Sequence, residues 1–172
     1  MIDLRSIHNK HSVRPVRTCE PRLSFLEDAL ELFDVQDDAP YQRDHKWTEA
    51  QQIAFVGHVL TGGVVNPIIT NMKTKDVDGP CEVVDGKQRL RALLRWLHNE
   101  IPADVVGQLV YLRDCDPKSF RRLDVRITIW TVQLDRAGVM RLYLRLNRGG
   151  TPHTNEEIAK VEQMLAETEC SQ

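Results

Sequence analysis

The chain has 172 residues, 41% of them hydrophobic and 28% charged, and its formal net charge is −2. This composition is typical of one globular domain with its own core, and it excludes a global basic field that binds nucleic acid through bulk charge. No apolar run reaches the roughly 18 residues of a membrane span. The four cysteines form no C-x-x-C pair, so neither a zinc ribbon nor a thioredoxin motif is indicated.

Residues 1–70 are predicted to form an arm, two helices and a strand. Residues 1–22 are polar and basic and lack periodicity, and we interpret them as an N-terminal arm. Capping boxes predict the starts of the two helices, at Ser24-Phe25-Leu26-Glu27 and at Thr48-Glu49-Ala50-Gln51. Val64–Thr70 is typical of a strand with Pro67 at its edge or at its start, and this strand is expected to pair with the next one as a hairpin.

The stretch around Asp85 and Gly86 predicts a strand, a tight turn and a helix. The apolar run Cys81–Val84 predicts a buried strand, and Leu90 begins a set of leucines at helical spacing. We expect Asp85 to be the N-cap of this helix, with Gln88 as its capping-box partner. A glycine turn at the start of a helix presents unpaired backbone N–H groups and the positive end of the helix dipole, which together favour an anion.

Two cations in the first turn of this helix support an anion site. Lys87 and Arg89 oppose the helix dipole, so their position is unfavourable unless an anion such as a phosphate lies among them. We expect Arg89 to point toward the turn, so that its removal leaves the fold intact. The alternative interpretation is a well-capped helix that carries two solvated cations.

The second half of the chain adds strands and helices without strict alternation. Gln108–Arg113 predicts a strand, and the alternation of apolar and polar residues over Val125–Trp130 predicts another. Further helices are predicted at Asp116–Leu123, from Asp135 to Asn147, and after a capping box at Thr154–Glu157. This mixture predicts the α+β class, in one domain over residues 23–168 with a short tail at 169–172.

Three polar clusters lie in predicted loops or at helix ends, where binding sites usually are. They are Tyr41-Gln42-Arg43 with Trp47, the turn Asp85–Arg89, and Asn147-Arg148-Gly149-Gly150. Each cluster also has an ordinary structural interpretation: a polar loop with a core tryptophan, a capped helix, and a helix C-cap in which Asn and Gly adopt left-handed backbone. Spacing alone does not show whether the three clusters converge.

The same three clusters resemble segments of one known family. Val84-Asp85-Gly86-Lys87-Gln88-Arg89-Leu90 resembles the DGQQR segment of the N-terminal domain of GmrSD-type modification-dependent restriction enzymes, within the wider ParB and sulfiredoxin-like superfamily. Pro40–Trp47 is similar to the P-x-Q-R-x-x-x-W segment of that family, and Leu144–Pro152 is similar to its F-x-R-L-N-x-G-G-x-P-L segment. The segments follow the family order and cover the chain from Ser24 to Glu157.

The resemblance implies a single ParB/sulfiredoxin-like α+β domain, a small mixed sheet with flanking helices, that binds an NTP (ATP, GTP or CTP) with Mg²⁺. Carried over by position, the nucleotide-binding residues are Gln42, Arg43, Gly86, Lys87, Gln88, Arg89, Asn147, Gly149 and Gly150. The implied catalytic residues are Asp85, Arg89 and Arg43. The two arginines would stabilise spreading phosphate charge, and Asp85 would orient the turn or act as the metal ligand for Mg²⁺.

The chain departs from the family pattern at two positions. Lys87 replaces the first Gln of DGQQR, and His153 stands where the family usually has Leu. A lysine reaches a phosphate as a point charge, without the acceptor oxygen of an amide. The further helical region and the HNH-type nuclease domain of the restriction enzymes do not fit into 172 residues, so we do not expect DNA cleavage.

Three hypotheses about function follow. The first is a Mg²⁺-dependent NTPase or phosphotransferase, including a kinase that acts on a modified DNA base or a small hydroxyl compound. The second is a nucleotide-regulated DNA-binding or restriction-related module without turnover, supported by local cations at Arg121, Arg122, Arg141, Arg145 and Arg148. The third, a structural adaptor, is disfavoured by the coincidence of three family segments.

An enzyme of the first kind needs a general base near the γ-phosphate, for which Asp85, Glu82 and Asp44 are candidates. The expected partners are a nucleotide and, for the second hypothesis, DNA or a modified base, with no membrane partner. We expect a cytoplasmic location, in a bacterium or a phage-infected host. The oligomeric state is open.

Overall fold

The structure is a computed structural model that describes residues 12–36, 47–72, 80–147 and 155–170. Its α-helices are α1 (Leu26–Leu32), α2 (Glu49–Leu60), α3 (Lys87–Leu97), α4 (Pro117–Arg122), α5 (Arg136–Asn147) and α6 (Asn155–Cys170). Its strands are β1 (Arg17–Cys19), β2 (Val35–Gln36), β3 (Ile68–Met72), β4 (Cys81–Asp85), β5 (Ala103–Val105), β6 (Gln108–Val110) and β7 (Ile129–Val132). Short 3₁₀ turns precede α1 and follow β6.

Five strands form one mixed sheet in the order β1-β7-β3-β4-β2. The central strand β3 is antiparallel to β4 and parallel to β7, while β1 and β2 pair with β7 and β4 at the two edges. β5 and β6 form a separate hairpin that packs on α2, where a Cβ on Gly57 would lie 1.8 Å from the carbonyl oxygen of Asp104. The α+β class and the antiparallel pairing of β3 with β4 are therefore confirmed.

Alternate residues of the central strands face two cores on opposite sides of the sheet. Ile68, Val83 and Ile129 pack into the first core, together with residues of α1, α2 and α3. Val84 and Val132 pack into the second core, together with residues of α5 and α6. The end of β4 is therefore held from both sides, and it positions the turn that follows. In the described part of the chain, no helix is long and apolar enough to cross a bilayer.

The predicted capping box of α2 is confirmed. Gln51 N donates to Thr48 Oγ1 at 3.3 Å, and Thr48 N donates to Gln51 Oε1 at 2.8 Å. The helix ends at Leu60, just before Gly62, whose φ of +84° closes the C-terminal turn. Pro67 directly precedes β3, at the start of the strand as expected.

The structure differs from two predictions for the start of the chain. Residues 17–19 of the predicted arm form β1, and Val16 N extends the pairing with β7 by donating to Thr131 O at 2.8 Å. Ser24 does not cap α1, because a 3₁₀ turn leads into this helix and moves the N-cap position to Phe25. The buried Ser24 Oγ has no hydrogen-bond partner among the described residues.

β7 begins four residues later than the strand that alternation predicts over Val125–Trp130. Leu23 N donates to Val125 O at 2.8 Å and Ile127 N donates to Pro21 O at 3.0 Å, so the chain is already paired there. Pro21 has no N–H to donate in return, which interrupts the ladder. Regular pairing resumes at Ile129, and β5 is a strand that the sequence does not predict.

Candidate phosphate-binding site

The turn between β4 and α3 is built on Gly86. Its φ of +93° lies in the left-handed region, which glycine adopts without steric cost. A Cβ added here would lie 3.2 Å from Ile68 Cα and 3.2 Å from Arg89 Nη2, which is closer than ordinary contact. Both the conformation and the space therefore require glycine, so the chain passes directly from a buried strand into a helix.

The predicted N-cap of α3 is wrong. The N-cap residue is Gly86, and no side chain caps this helix. Asp85 remains within β4, where it pairs with Ile69, so its carboxylate is one residue too early to reach the first N–H groups. Gln88 does not form a capping box either, because its Oε1 accepts a hydrogen bond from Trp47 N at 3.4 Å.

Arg89 is held in place by two acceptors. Its Nη2 donates to Asp85 Oδ2 at 2.7 Å, and its Nη1 donates to the carbonyl oxygen of Asn66. The side chain is only 14% exposed, against 35% for Asp85. These bonds connect the end of β4, the first turn of α3 and the segment before β3. Arg89 therefore contacts the turn as expected, and whether its removal leaves the fold intact stays a prediction.

Lys87 is the one first-turn cation of α3 that has no partner in the described part of the chain. Its ammonium group makes no hydrogen bond or ion pair with any described residue, and the first turn contains no acidic side chain. The N–H groups of Lys87, Gln88 and Arg89 have no acceptor within the helix, as at any helix start. The start of α3 therefore combines a partial positive charge, free donors and a full positive charge.

At the other helices whose starts are described, an acidic side chain or a side-chain cap offsets the positive end of the helix dipole. Glu27 and Asp28 lie in the first turn of α1, and α2 has its capping box. Asp116 caps α4 by accepting from Ser119 N at 2.7 Å, and Asp135 caps α5 by accepting from Gly138 N at 2.7 Å. In this set α3 alone has neither a side-chain cap nor an acid, which favours an external anion.

Hydrogen bonds of Gln52, a buried residue of α2, link this helix to Trp47 and to Arg95 of α3. Gln52 is 2% exposed, and its Nε2 donates to Trp47 O at 3.2 Å. Its Oε1 accepts from Arg95 Nη1 at 2.7 Å, and Arg95 also pairs with Glu49 at 3.1 Å. Trp47 N also donates to Gln88 Oε1. These hydrogen bonds therefore connect α2 to α3 both at its first turn and at Arg95.

The described residues do not fit a resident Mg²⁺ site. They contain no group of three His, Cys, Asp or Glu side chains that could hold a metal ion. Asp85 has one oxygen bound to Arg89. Glu82 points to the opposite face of β4, where it is 5% exposed and lies 3.6 Å from Arg136 Nη1. Glu82 is therefore turned away from the start of α3, whereas one carboxylate oxygen of Asp85 remains without a bond to Arg89.

Burial disfavours the thiolate form of three cysteines in the described part of the chain. Burial raises the pKa of the Cys81 thiol, although Arg17 opposes this effect. Burial likewise raises the pKa of Cys19 and of Cys115. A thiol with a raised pKa contains little of the reactive thiolate at neutral pH.

Several predicted site residues lie outside the described part of the chain: Gln42, Arg43, Asp44, Arg148, Gly149 and Gly150. Asn147 is the last residue of α5, and its side chain also lies outside the described set. The convergence of the three clusters therefore stays a prediction. Trp47 packs against the first core, with its ring 5.2 Å from that of Phe55, as its ordinary interpretation predicts.

Two contributors to the turn carry no recognisable sequence signal. Asn66 acts through its backbone carbonyl oxygen, so its side chain gives no indication of the role. Gln52 looks like an ordinary polar residue of a helix, and only the fold shows that it is buried between Trp47 and Arg95.

Comparison with known proteins identifies the family of the chain. No curated protein matches it. A similar solved structure is that of the C-terminally truncated chromosome-partitioning protein ParB from Caulobacter crescentus complexed with CTP-gamma-S, at 16% identity and a TM-score of 0.45. That match covers 88% of this chain and 64% of the other, so the chain corresponds to less than two thirds of the ParB structure.

The family match is the more specific finding. The GmrSD restriction endonuclease N-terminal domain matches residues 26–138, which is more than half of the chain. The matched range includes the segments Pro40–Trp47 and Val84–Leu90 and ends before Asn147. The chain therefore belongs to the family of GmrSD restriction endonuclease N-terminal domains.

Proposed function

We propose that the chain binds the phosphates of a nucleoside triphosphate at the start of α3, as the nucleotide-binding module of a restriction-related system. The observation that carries this proposal is the first turn of α3, which has no cap and no acid but has Lys87 without a described partner. Phosphate is the anion that such a turn favours, because several N–H donors and a cation meet there.

The strength of this site follows from general magnitudes. A helix start contributes about 0.3–1 kcal/mol to an exposed anion, and a hydrogen bond to a charged group contributes about 1.5–3 kcal/mol. Their sum, about 1.8–4 kcal/mol, corresponds to a dissociation constant between about 50 mM and about 1 mM for phosphate alone. Tighter binding needs further contacts to the nucleotide, and we assign these to Gln42, Arg43, Asn147, Gly149 and Gly150, which close the pocket in the arrangement that the family resemblance implies.

Each residue of the turn has a distinct role in this proposal. Gly86 lets the turn form, and the N–H groups of Lys87 and Gln88 bind phosphate oxygens. Arg89 and Asp85 hold the turn by their ion pair, so Arg89 acts as a positioning residue and contributes its backbone N–H. In this arrangement Asp85 orients the turn and is not the principal metal ligand.

Binding without turnover is better supported than catalysis. Phosphoryl transfer needs a base or a residue that orients the nucleophile, whereas Glu82 pairs with Arg136 and Asp85 has one oxygen bound to Arg89. Any Mg²⁺ would arrive with the phosphates, since ATP, GTP and CTP all carry it in this way. Hydrolysis or kinase activity would use the second carboxylate oxygen of Asp85, or Asp44, as the general base.

The test is isothermal titration calorimetry with ATP, GTP, CTP and UTP in the presence of Mg²⁺, with phosphate release measured on the same samples. We expect Lys87→Ala to weaken binding about tenfold or more, from the loss of a charge-assisted hydrogen bond. Lys118→Ala is the matched control, because Lys118 lies in the first turn of α4, which Asp116 caps. Equal affinity in Lys87→Ala and wild type would refute the site.

A further inference from the structure

Three consecutive hydrogen bonds connect the start of α2 with two turns of α3. Arg95 Nη1 donates to Gln52 Oε1 at 2.7 Å, and Gln52 Nε2 donates to the carbonyl oxygen of Trp47 at 3.2 Å. Trp47 N then donates to Gln88 Oε1 at 3.4 Å. Gln88 and Arg95 are seven residues apart, which is about two helical turns, so both lie on the same face of α3.

The partners of the two glutamines fix the orientation of both side-chain amides. A carbonyl oxygen only accepts and a guanidinium only donates, so Gln52 presents Nε2 to Trp47 O and Oε1 to Arg95. In the same way, the N–H of Trp47 requires the Oε1 atom of Gln88. The Nε2 atom of Gln88 stays available as a donor, because it makes no hydrogen bond with any residue in the described part of the chain.

Gln52 is well placed to hold Trp47. It is 2% exposed, and the free-energy cost of burying its amide is offset because both amide atoms are hydrogen-bonded. The bond from the Arg95 cation is charge-assisted, and it polarises the amide so that Nε2 becomes a stronger donor to Trp47 O. Arg95 is itself held by Glu49 at 3.1 Å and by Glu100 at 3.0 Å.

The bond between Trp47 and Gln88 depends on this support. At 3.4 Å it is the longest of the three bonds, and a hydrogen bond of that length is weak. Trp47 precedes the N-cap residue Thr48, so its backbone is not part of α2. Its position is set by the packing of its ring on Phe55 and by the bond from Gln52 to its carbonyl oxygen. The N–H of Trp47 therefore meets Gln88 because Gln52 holds the other polar group of the same residue.

We propose that Gln52 is a positioning residue of the phosphate site, and that it acts through Trp47 on the side-chain amide of Gln88. With its Oε1 held by Trp47 N, Gln88 offers Nε2 to a phosphate oxygen as a further donor in the first turn of α3. Without this bond the amide can rotate and present Oε1, which only accepts hydrogen bonds and repels a phosphate. This inference rests on the proposed function and adds to it a residue of α2 that touches no phosphate.

The expected effect of Gln52 on affinity is moderate, because it acts through another residue. Its removal lowers the fraction of molecules in which Gln88 presents Nε2, and the apparent affinity falls with that fraction. One neutral hydrogen bond changes such an equilibrium by about 2-fold to 12-fold. We therefore expect Gln52→Met to weaken the binding of inorganic triphosphate by about 2-fold to 12-fold. Methionine is similar in size to glutamine and equally uncharged, so neither a cavity nor a new charge accounts for the loss.

The test is a double-mutant cycle on the 172-residue chain. Gln52→Met and Gln88→Met are made singly and together, and affinity for inorganic triphosphate, which has no ribose or base, is measured from NMR shifts of the backbone amides. If Gln52 acts through Gln88, the double variant binds as weakly as Gln88→Met alone, since no amide is left to orient. A merely structural role predicts losses that multiply.

Two further variants complete the design. Val59→Ala is the control for stability, because Val59 is a buried residue of α2 in the first core and should keep its triphosphate affinity when it is truncated. Gln52→Glu replaces Gln52→Met in the cycle where the latter does not fold. Its carboxylate keeps the contact with Arg95 but cannot donate to Trp47 O, and its added charge acts in both backgrounds and cancels in the cycle.

Hydrogen exchange of the Trp47 amide gives a second measurement, without ligand. Gln52→Met and Gln88→Met should both accelerate this exchange, because each removes a bond that holds Trp47. Val59→Ala should not, since the Trp47 amide exchanges through local opening and not through global unfolding.

Three results would overturn the inference in a chain that binds triphosphate. They are an unchanged affinity in Gln52→Met, losses that multiply in the double variant, and an equal loss of affinity in Val59→Ala. Absence of binding by the wild-type chain, both to inorganic triphosphate and to the four nucleoside triphosphates, would instead refute the proposed function and this inference with it. The wild type alone therefore distinguishes the two failures.

Discussion

Reversing the charge of Lys87 separates binding from folding. A cation in the first turn of a helix opposes the dipole and an anion there complements it, each by about 0.3–1 kcal/mol. Lys87→Glu should therefore raise the free energy of unfolding by roughly 0.6–2 kcal/mol. For a chain of this length, each kcal/mol raises the melting temperature by about 2–4 °C.

The same substitution should abolish the phosphate site. It removes a charge-assisted hydrogen bond of about 1.5–3 kcal/mol, which corresponds to about tenfold to 150-fold in affinity, and it adds a carboxylate that repels the phosphates. Thermal unfolding and calorimetry on one preparation give both values. Lys118→Glu is the control, because it places the same charge in the first turn of α4 and should keep nucleotide affinity.

The outcome that would refute this reasoning is a Lys87→Glu variant that is more stable and binds nucleotide as well as the wild type does. The start of α3 would then behave as an ordinary helix start with no ligand. A variant that loses both stability and binding would show instead that Lys87 supports the fold.

Three further predictions concern the turn and the core. Gly86→Ala should lower the free energy of unfolding, measured by urea titration, by more than Gly62→Ala does. Both residues have positive φ, but of the two only Gly86 has atoms within 4 Å of an added Cβ. Equal losses in the two variants would contradict this prediction. Arg89→Ala should cost about 1–3 kcal/mol and Arg22→Ala at most about 1 kcal/mol, since the Arg22 pair is much more exposed. Burial raises the pKa of the Cys81 thiol above its ordinary value of 9.0, so the free energy of unfolding should fall as pH rises above that value, and less steeply in Cys81→Ala.

The sequence predicts most of the elements that carry the candidate site. The break at Gly86 and the leucine spacing from Leu90 onward locate β4 and α3, since both signals are local and belong to long elements. The capping box at Thr48 locates α2 to the residue. Residues that are close in the sequence determine these features, so they can be predicted from the sequence.

The partner of Asp85 could not be predicted, because two local rules apply to it equally well. Its position before a helix is suitable for an N-cap, and its spacing of four residues from Arg89 is suitable for an ion pair. The choice depends on whether Asp85 continues the ladder of β4, and its pairing with Ile69 across the sheet decides this. The start of β7 could not be predicted either, because it depends on pairing with Pro21, which is distant in the sequence.

The ion pair between Asp85 and Arg89 divides the D-G-x-x-R pattern into two kinds of position. The outer positions, Asp85, Gly86 and Arg89, form the turn and depend on one another, so across the family they should change together or not at all. Of the inner positions, Gln88 accepts a hydrogen bond from Trp47, whereas Lys87 has no partner among the described residues and should vary more freely. If the turn binds phosphate as proposed, a substitution at position 87 should change the charge that the ligand meets without changing the shape of the turn.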